Sequence, residues 1–208
     1  MKKVLALGML GLLLAFAVAL GTSATFRDYS VKRSVHISVV ADDDELIDLT
    51  PVQPYAYINK TTGKLMIDIS KNNPNWPGHK NATWAEMQYG IGISPDSRYN
   101  FDHVFNVSNH LWENKNITVE VISSTANILF YNKDGKIYVV GSGEQPTNSD
   151  EAHTMNALDV CFVLEPGESV GLGIDFYGGA GLGSQDSTIT VKAWPEGDEP
   201  FTCGGGPQ

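Results

Sequence analysis

Short runs in which apolar and polar residues alternate recur along most of this chain. In Val35-His36-Ile37-Ser38-Val39 the odd positions are apolar, so a strand there places them on one face. The same reading predicts strands over 65–69, 101–107, 117–122, 136–140, 160–164, 170–176 and 188–193. Turn residues separate these runs: Asn114-Lys115, Asp134-Gly135, Pro166-Gly167, and the glycines from Gly178 to Gly183. No helical period is sustained beyond residue 24. The expected fold is all-β, a single jelly-roll-like or immunoglobulin-like β-sandwich preceded by an N-terminal signal helix.

Two sections break the rhythm. Residues 71–87 hold Asn, Pro, Gly, Trp76 and Trp84, and read as a long loop with one helical turn near 83–87. Residues 141–156 are polar and rich in Gly, Pro and Ser, and read as a flexible excursion. The last stretch, 195–208, contains three consecutive glycines and is expected to be a flexible tail with no stable element of its own.

The chain opens with Lys2 and Lys3, then an apolar run to Leu20 and the small residues Gly21, Thr22, Ser23 and Ala24. That is the layout of a secretory signal peptide. The competing reading is a retained anchor, since the run approaches the roughly 17 to 20 residues that cross a bilayer. Cleavage after Ala24 removes both lysines and leaves 12 basic against 24 acidic residues, a charge of −12. Such a surface repels nucleic acid and anionic lipid, so neither is an expected partner, and the membrane is met only through the leader.

Cys161 and Cys203 are the two cysteines. In an exported chain they are expected to bridge within the chain and tie the tail to the strand around Cys161; the alternatives are a bond between subunits or two free thiols. Four sequons begin at Asn59, Asn81, Asn106 and Asn116, and in an exported chain they imply a surface built to carry sugar, the alternative being chance in an Asn-rich sequence.

Catalytic signatures are missing. The histidines His36, His79, His103, His110 and His153 form no His-Glu-x-x-His pair, the cysteines form no Cys-x-x-Cys, and no Gly-x-Ser-x-Gly occurs. Gly179-Ala180-Gly181-Leu182-Gly183 precedes the strand-like Thr188-Ile189-Thr190-Val191, where a dinucleotide loop would open a helix. The chain is therefore not expected to be an enzyme. Asp42, Asp43 and Asp44, followed by Glu45, repel one another unless water, salt or a cation screens them. Calcium is the one cofactor this run suggests; a solvated turn is the alternative, since calcium-loop spacing is absent.

Residues 25–31 carry Thr25, Phe26, Tyr29 and Val31 ahead of the first regular strand. Such a segment can pair with its own sheet, fray, or add to the open edge of another copy. Head-to-tail addition that does not close on itself makes filaments.

The run Ala24-Thr25-Phe26-Arg27-Asp28-Tyr29, then Arg33-Ser34-Val35-His36-Ile37-Ser38-Val39-Val40-Ala41-Asp42-Asp43, resembles an archaeal exported family related to the TasA and camelysin superfamily of biofilm-fibre and bundling-pilus subunits. Further matches are Phe101-Asp102-His103-Val104-Phe105-Asn106-Val107-Ser108-Asn109, Ile117-Thr118-Val119-Glu120-Val121 and Leu164-Glu165-Pro166-Gly167-Glu168-Ser169-Val170. The resemblance implies a jelly-roll-like sandwich at the cell surface whose mature N-terminal strand, near 25–31, inserts into the next subunit. Camelysin relatives are classed as metalloproteases, an activity that a chain without a zinc motif does not inherit. The expected plan is a signal peptide over 1–24, a donor segment over 25–33, a sandwich over 34–194 and a tail over 195–208. The expected function is a homopolymeric filament or surface-layer subunit; the alternative is a monomeric surface module for sugar or calcium, with Trp76, Trp84 and Trp112 as stacking platforms.

Overall fold

The computed structural model describes residues 35–41, 47–70, 72–77, 94, 97–110, 114–177 and 185–204, which lie in one compact unit spanning Lys32–Gln208. Its elements in chain order are β1 (Val35–Ala41), β2 (Ile47–Pro51), β3 (Ala56–Ile58), β4 (Leu65–Ile67), β5 (Arg98–Asn109), β6 (Ile117–Ser123), β7 (Ile128–Tyr131), β8 (Tyr138–Val139), α1 (Ser149–Thr154), β9 (Asp159–Leu164), β10 (Ser169–Tyr177) and β11 (Gln185–Pro195). They form two sheets, a seven-stranded one in the order β3-β4-β1-β11-β6-β9-β8 and a four-stranded one in the order β2-β5-β10-β7. The fold is an all-β sandwich, as the alternating pattern predicts.

The core lies between the sheets. Val119 and Val121 of β6, Val160 and Phe162 of β9, and Ile189 and Val191 of β11 are fully buried. They meet Phe105 and Val107 of β5 and the buried apolar side chains of β10 in one apolar cluster. All eight strands expected from alternation are present, with shifted ends: 136–140 shrinks to the two residues of β8, and 65–69 to the three of β4.

Strands β2, β3 and β7 escape the sequence reading. In β7 the run Ile128-Leu129-Phe130-Tyr131 is buried throughout, so no alternation exists to be read. The reason is α1, which packs against β7 and β10. This helix occupies part of 141–156, the stretch expected to be a flexible excursion. Asn148 caps it, its side chain accepting from the amides of Asp150 at 2.9 Å and Glu151 at 3.0 Å. Glu151 reaches back to the Thr147 amide at 2.7 Å. An Asn followed three residues later by Glu is a legible helix start. At six residues, however, α1 is too short to show a period.

Strand β5 carries two extra residues opposite β10. Leu172 pairs with Phe105 and Ile174 with Phe101, so Asp102, His103 and Val104 share the single partner Gly173. This bulge explains why the adjacent Val104 and Phe105 are both buried. Gly173 has no room for a side chain: a Cβ there would meet Tyr131 Cζ at 2.8 Å and the Asp102 carbonyl oxygen at 2.9 Å.

Candidate functional site

The N-terminal strand β1 has an unusual place. It pairs in parallel with β11, Val35 opposite Gln185 through Ala41 opposite Val191, and antiparallel with β4. Every other pairing in both sheets is antiparallel. β1 therefore joins the β3-β4 pair to the block β11-β6-β9-β8; without it the seven-stranded sheet falls into two pieces. Its C-terminal connection to the opposite sheet is only the five residues 42–46. The expected donor residues Thr25, Phe26, Tyr29 and Val31, and the expected calcium ligands Asp42, Asp43 and Asp44, lie outside the described residues.

The sheet edges differ in cover. β3 and β8 bound the seven-stranded sheet, and β2 and β7 bound the four-stranded one. α1 covers β7. Its docking rests on Arg98, whose Nε and Nη2 contact the buried Asp175 carboxylate at 2.8 to 3.0 Å while Nη1 lies 2.6 Å from Asp150. Arg98 Nη2 also donates to the Ser149 carbonyl.

Past β11 the chain is held against the outer face of the larger sheet, where the sequence suggests a flexible tail. The Glu196 amide donates to the Asn116 carbonyl at 3.1 Å, and Asn116 Nδ2 donates to Glu196 Oε2 at 2.9 Å. Trp194 meets Phe201 edge to face, with centroids 5.4 Å apart. Cys203 is joined to Cys161 across a Cα separation of 5.7 Å. The next residue, Gly204, lies beside the Tyr138 ring. Beside this strap is an open cleft of about 840 Å³, lined by Lys136, Tyr138, Gln145, Val163, Glu168 and Cys203. Lys136 and Glu168 pair across it at 2.9 Å.

Two charged groups of residues have no signal in the sequence, because only strand register brings their members together. On the outer face of the larger sheet, Lys192 Nζ lies 3.2 Å from Glu120 Oε2, and Asp159 stands one strand away on β9. Burial, and then the Glu120 charge, push the Asp159 carboxyl up to about 6, against the opposing pull of Lys192. Its Oδ1 is buried without a hydrogen-bond partner. This arrangement can hold a proton near neutral pH. At the β5 bulge, Tyr131 donates to Asp102 at 2.8 Å and Lys133 pairs with the same carboxylate. Burial and that hydrogen bond push the Tyr131 phenol up, so it stays a donor, while Lys133 and Tyr131 hold the Asp102 carboxyl below its ordinary range.

The histidines whose side chains are described, His103, His110 and His153, have separate partners. His103 contacts Asn106, His110 lies 3.0 Å from the Ser108 hydroxyl, and His153 stacks on Tyr177 at 4.9 Å. Among the described residues no three His, Cys, Asp or Glu side chains gather as a metal centre would require. Trp76 packs near Tyr55, with centroids 6.2 Å apart, against the core. Trp84 and Trp112 lie outside the described residues. The sequon asparagines Asn59, Asn106 and Asn116 stand at a hairpin turn, inside β5 and just before β6, and Asn81 lies outside the described residues.

Comparison with curated proteins finds no match. A family model described as "Protein of unknown function (DUF1102)" matches residues 39–197, which is most of the chain and nearly all of the sandwich, and the chain belongs to that family.

Proposed function

We propose that this protein is a structural subunit of an extracellular filament, a pilus or biofilm-matrix fibre, or of a surface layer, and that it acts without catalysis. In this reading the leader exports the chain, and the segment 25–31 leaves one subunit to add as a strand to the sheet of the next. Backbone hydrogen bonds give the contact its strength, and Phe26, Tyr29 and Val31 anchor it.

The observation that carries the reading is the position of β1. The first described strand is the piece that unites the two blocks of the larger sheet, and its first residue, Val35, pairs with Gln185 at one end of β11. An N-terminal strand that completes a sheet and is tied to the rest by one short connection is an element that identical chains can exchange. The edge strand β2 of the smaller sheet offers a further place for an incoming strand.

Deleting residues 25–31 tests the proposal. The expected product is a folded, β-rich monomer by circular dichroism and size-exclusion chromatography that forms no fibre under negative stain, where the intact exported protein does. Polymerisation of the truncated chain would show that 25–31 is not the linking strand. The second reading, a monomeric sugar- or calcium-binding module, draws its support from the open cleft beside the C-terminal strap. It predicts that the intact exported protein elutes as a monomer at every concentration.

A further inference from the structure

We infer that Asn59 is an N-glycosylation site and that its glycan covers the β3 edge of the seven-stranded sheet. Three of the four sequons fall on described residues, and the fold treats them differently. In Asn116-Ile117-Thr118 the amide nitrogen is occupied by Glu196 at 2.9 Å, and the threonine is fully buried. In Asn106-Val107-Ser108 the asparagine sits within a strand paired on both sides, its side chain 2.5 Å from His103 Nε2. The Ser108 hydroxyl there is engaged by the Asp48 carbonyl at 3.4 Å and by His110 at 3.0 Å.

Asn59-Lys60-Thr61 has none of these obstacles. It opens the turn between β3 and β4, and Lys60 and Thr61 are exposed. The Asn59 backbone closes the hairpin, its amide donating to the Lys64 carbonyl and its carbonyl accepting from Gly63, both at 2.8 Å. Its side-chain oxygen accepts from the Thr61 amide at 2.9 Å and the Thr62 amide at 3.3 Å, an Asx turn. Among the described residues Nδ2, the atom that would form the new bond, donates to nothing.

The co-substrate class is an oligosaccharide carried on a lipid diphosphate. Nδ2 attacks the anomeric carbon, the bond from that carbon to the diphosphate oxygen breaks, the lipid diphosphate leaves with the electron pair, and the nitrogen gives up one proton. The placement gives the sugar a consequence for assembly. β3 is the outermost strand of its sheet, and the residue before Asn59, Ile58, is 40% exposed, more than any other large apolar side chain described. A free strand edge beside an exposed apolar side chain is a template for unwanted pairing. A hydrated glycan on the adjoining residue excludes an incoming strand there and leaves subunit contacts to other edges.

The inference takes from the proposed function only that the chain meets a glycosylating enzyme, and its test needs neither export nor polymerisation. The folded, unglycosylated full-length protein is incubated with a purified oligosaccharyltransferase of Asn-x-Ser/Thr specificity and a lipid-linked oligosaccharide, and glycopeptides are quantified by mass spectrometry. Asn59 is expected to carry the glycan while Asn106 and Asn116 stay bare, and Asn59→Gln or Thr61→Ala abolishes the signal. In sedimentation, the bare protein is expected to show an association that Ile58→Lys removes and that the glycosylated protein lacks. Transfer to Asn106 or Asn116 with Asn59 bare, or no transfer at all, overturns the site assignment. Equal association with and without the glycan overturns its role at the edge.

Discussion

Replacing Arg98 with Met offers a sharp test of what holds α1 over the β7 edge. Arg98 faces two carboxylates in unequal settings: the Asp175 side chain is 0% exposed and that of Asp150 is 86% exposed. An exposed ion pair contributes about 0 to 1 kcal/mol, because water screens it and two side chains lose freedom. Removing the partner of a buried carboxylate costs about 3 to 5 kcal/mol, since the remaining charge keeps its desolvation penalty and loses its compensation. Arg98→Met is therefore expected to lose about 3 to 5 kcal/mol near neutral pH, nearly all through Asp175, while Asp150→Ala loses less than about 1 kcal/mol. Urea denaturation of a double-mutant cycle makes the cause visible. Arg98→Met combined with Asp175→Leu leaves no unpaired buried charge, and should be more stable than Arg98→Met alone by about 2 kcal/mol or more. Additive losses in that cycle would refute the assignment of the cost to a stranded carboxylate.

Asp159 titrates at about 6 in the folded chain against an ordinary 3.8, so the folded state holds this proton more tightly than the unfolded one. The stability it contributes is full below pH 3.8 and is lost as pH rises through 6; Asp159→Asn should abolish that decline, so that its stability relative to the parent rises by about 2 kcal/mol between pH 4.5 and pH 7.5. Denaturation curves at the two pH values check this, and an equal effect at both would exclude the proton linkage. Reducing the Cys161–Cys203 bridge, which spans 42 residues, is expected to cost about 4 kcal/mol by loop entropy and to release the C-terminal strap. Urea denaturation of Cys203→Ser, with limited proteolysis of residues 196–204, measures both effects.

The strand pattern was legible wherever apolar side chains alternate with polar ones along a strand, whether or not the polar face meets water. Val119 and Val121 face inward and alternate with Thr118 and Glu120, so β6 announces itself. β7 lacks that contrast because α1 covers its second face, and β3 is too short to show a period. Nothing in the local sequence marks β1 as a parallel strand between β4 and β11, since parallel pairing depends on a partner at the far end of the chain. The sequons are plain in the sequence as triplets, but which of them is open depends on burial and on side-chain partners, nearby for Asn106 with His103 and distant for Asn116 with Glu196. The cluster of Glu120, Asp159 and Lys192 exists only through register, because its members stand on three different strands.

The parallel pairing of β1 also imposes an order on events during biosynthesis. Val35 and Gln185, opposite each other in the finished sheet, are 150 positions apart in the sequence. At roughly 5 to 20 residues per second of synthesis, β1 exists for roughly 8 to 30 s before its partner is made. Throughout that interval the margin of β1 that β11 will occupy is bare, and that slot belongs to whichever strand arrives first. Crowding nascent chains together would then favour intermolecular capture, and dilution would favour self-closure.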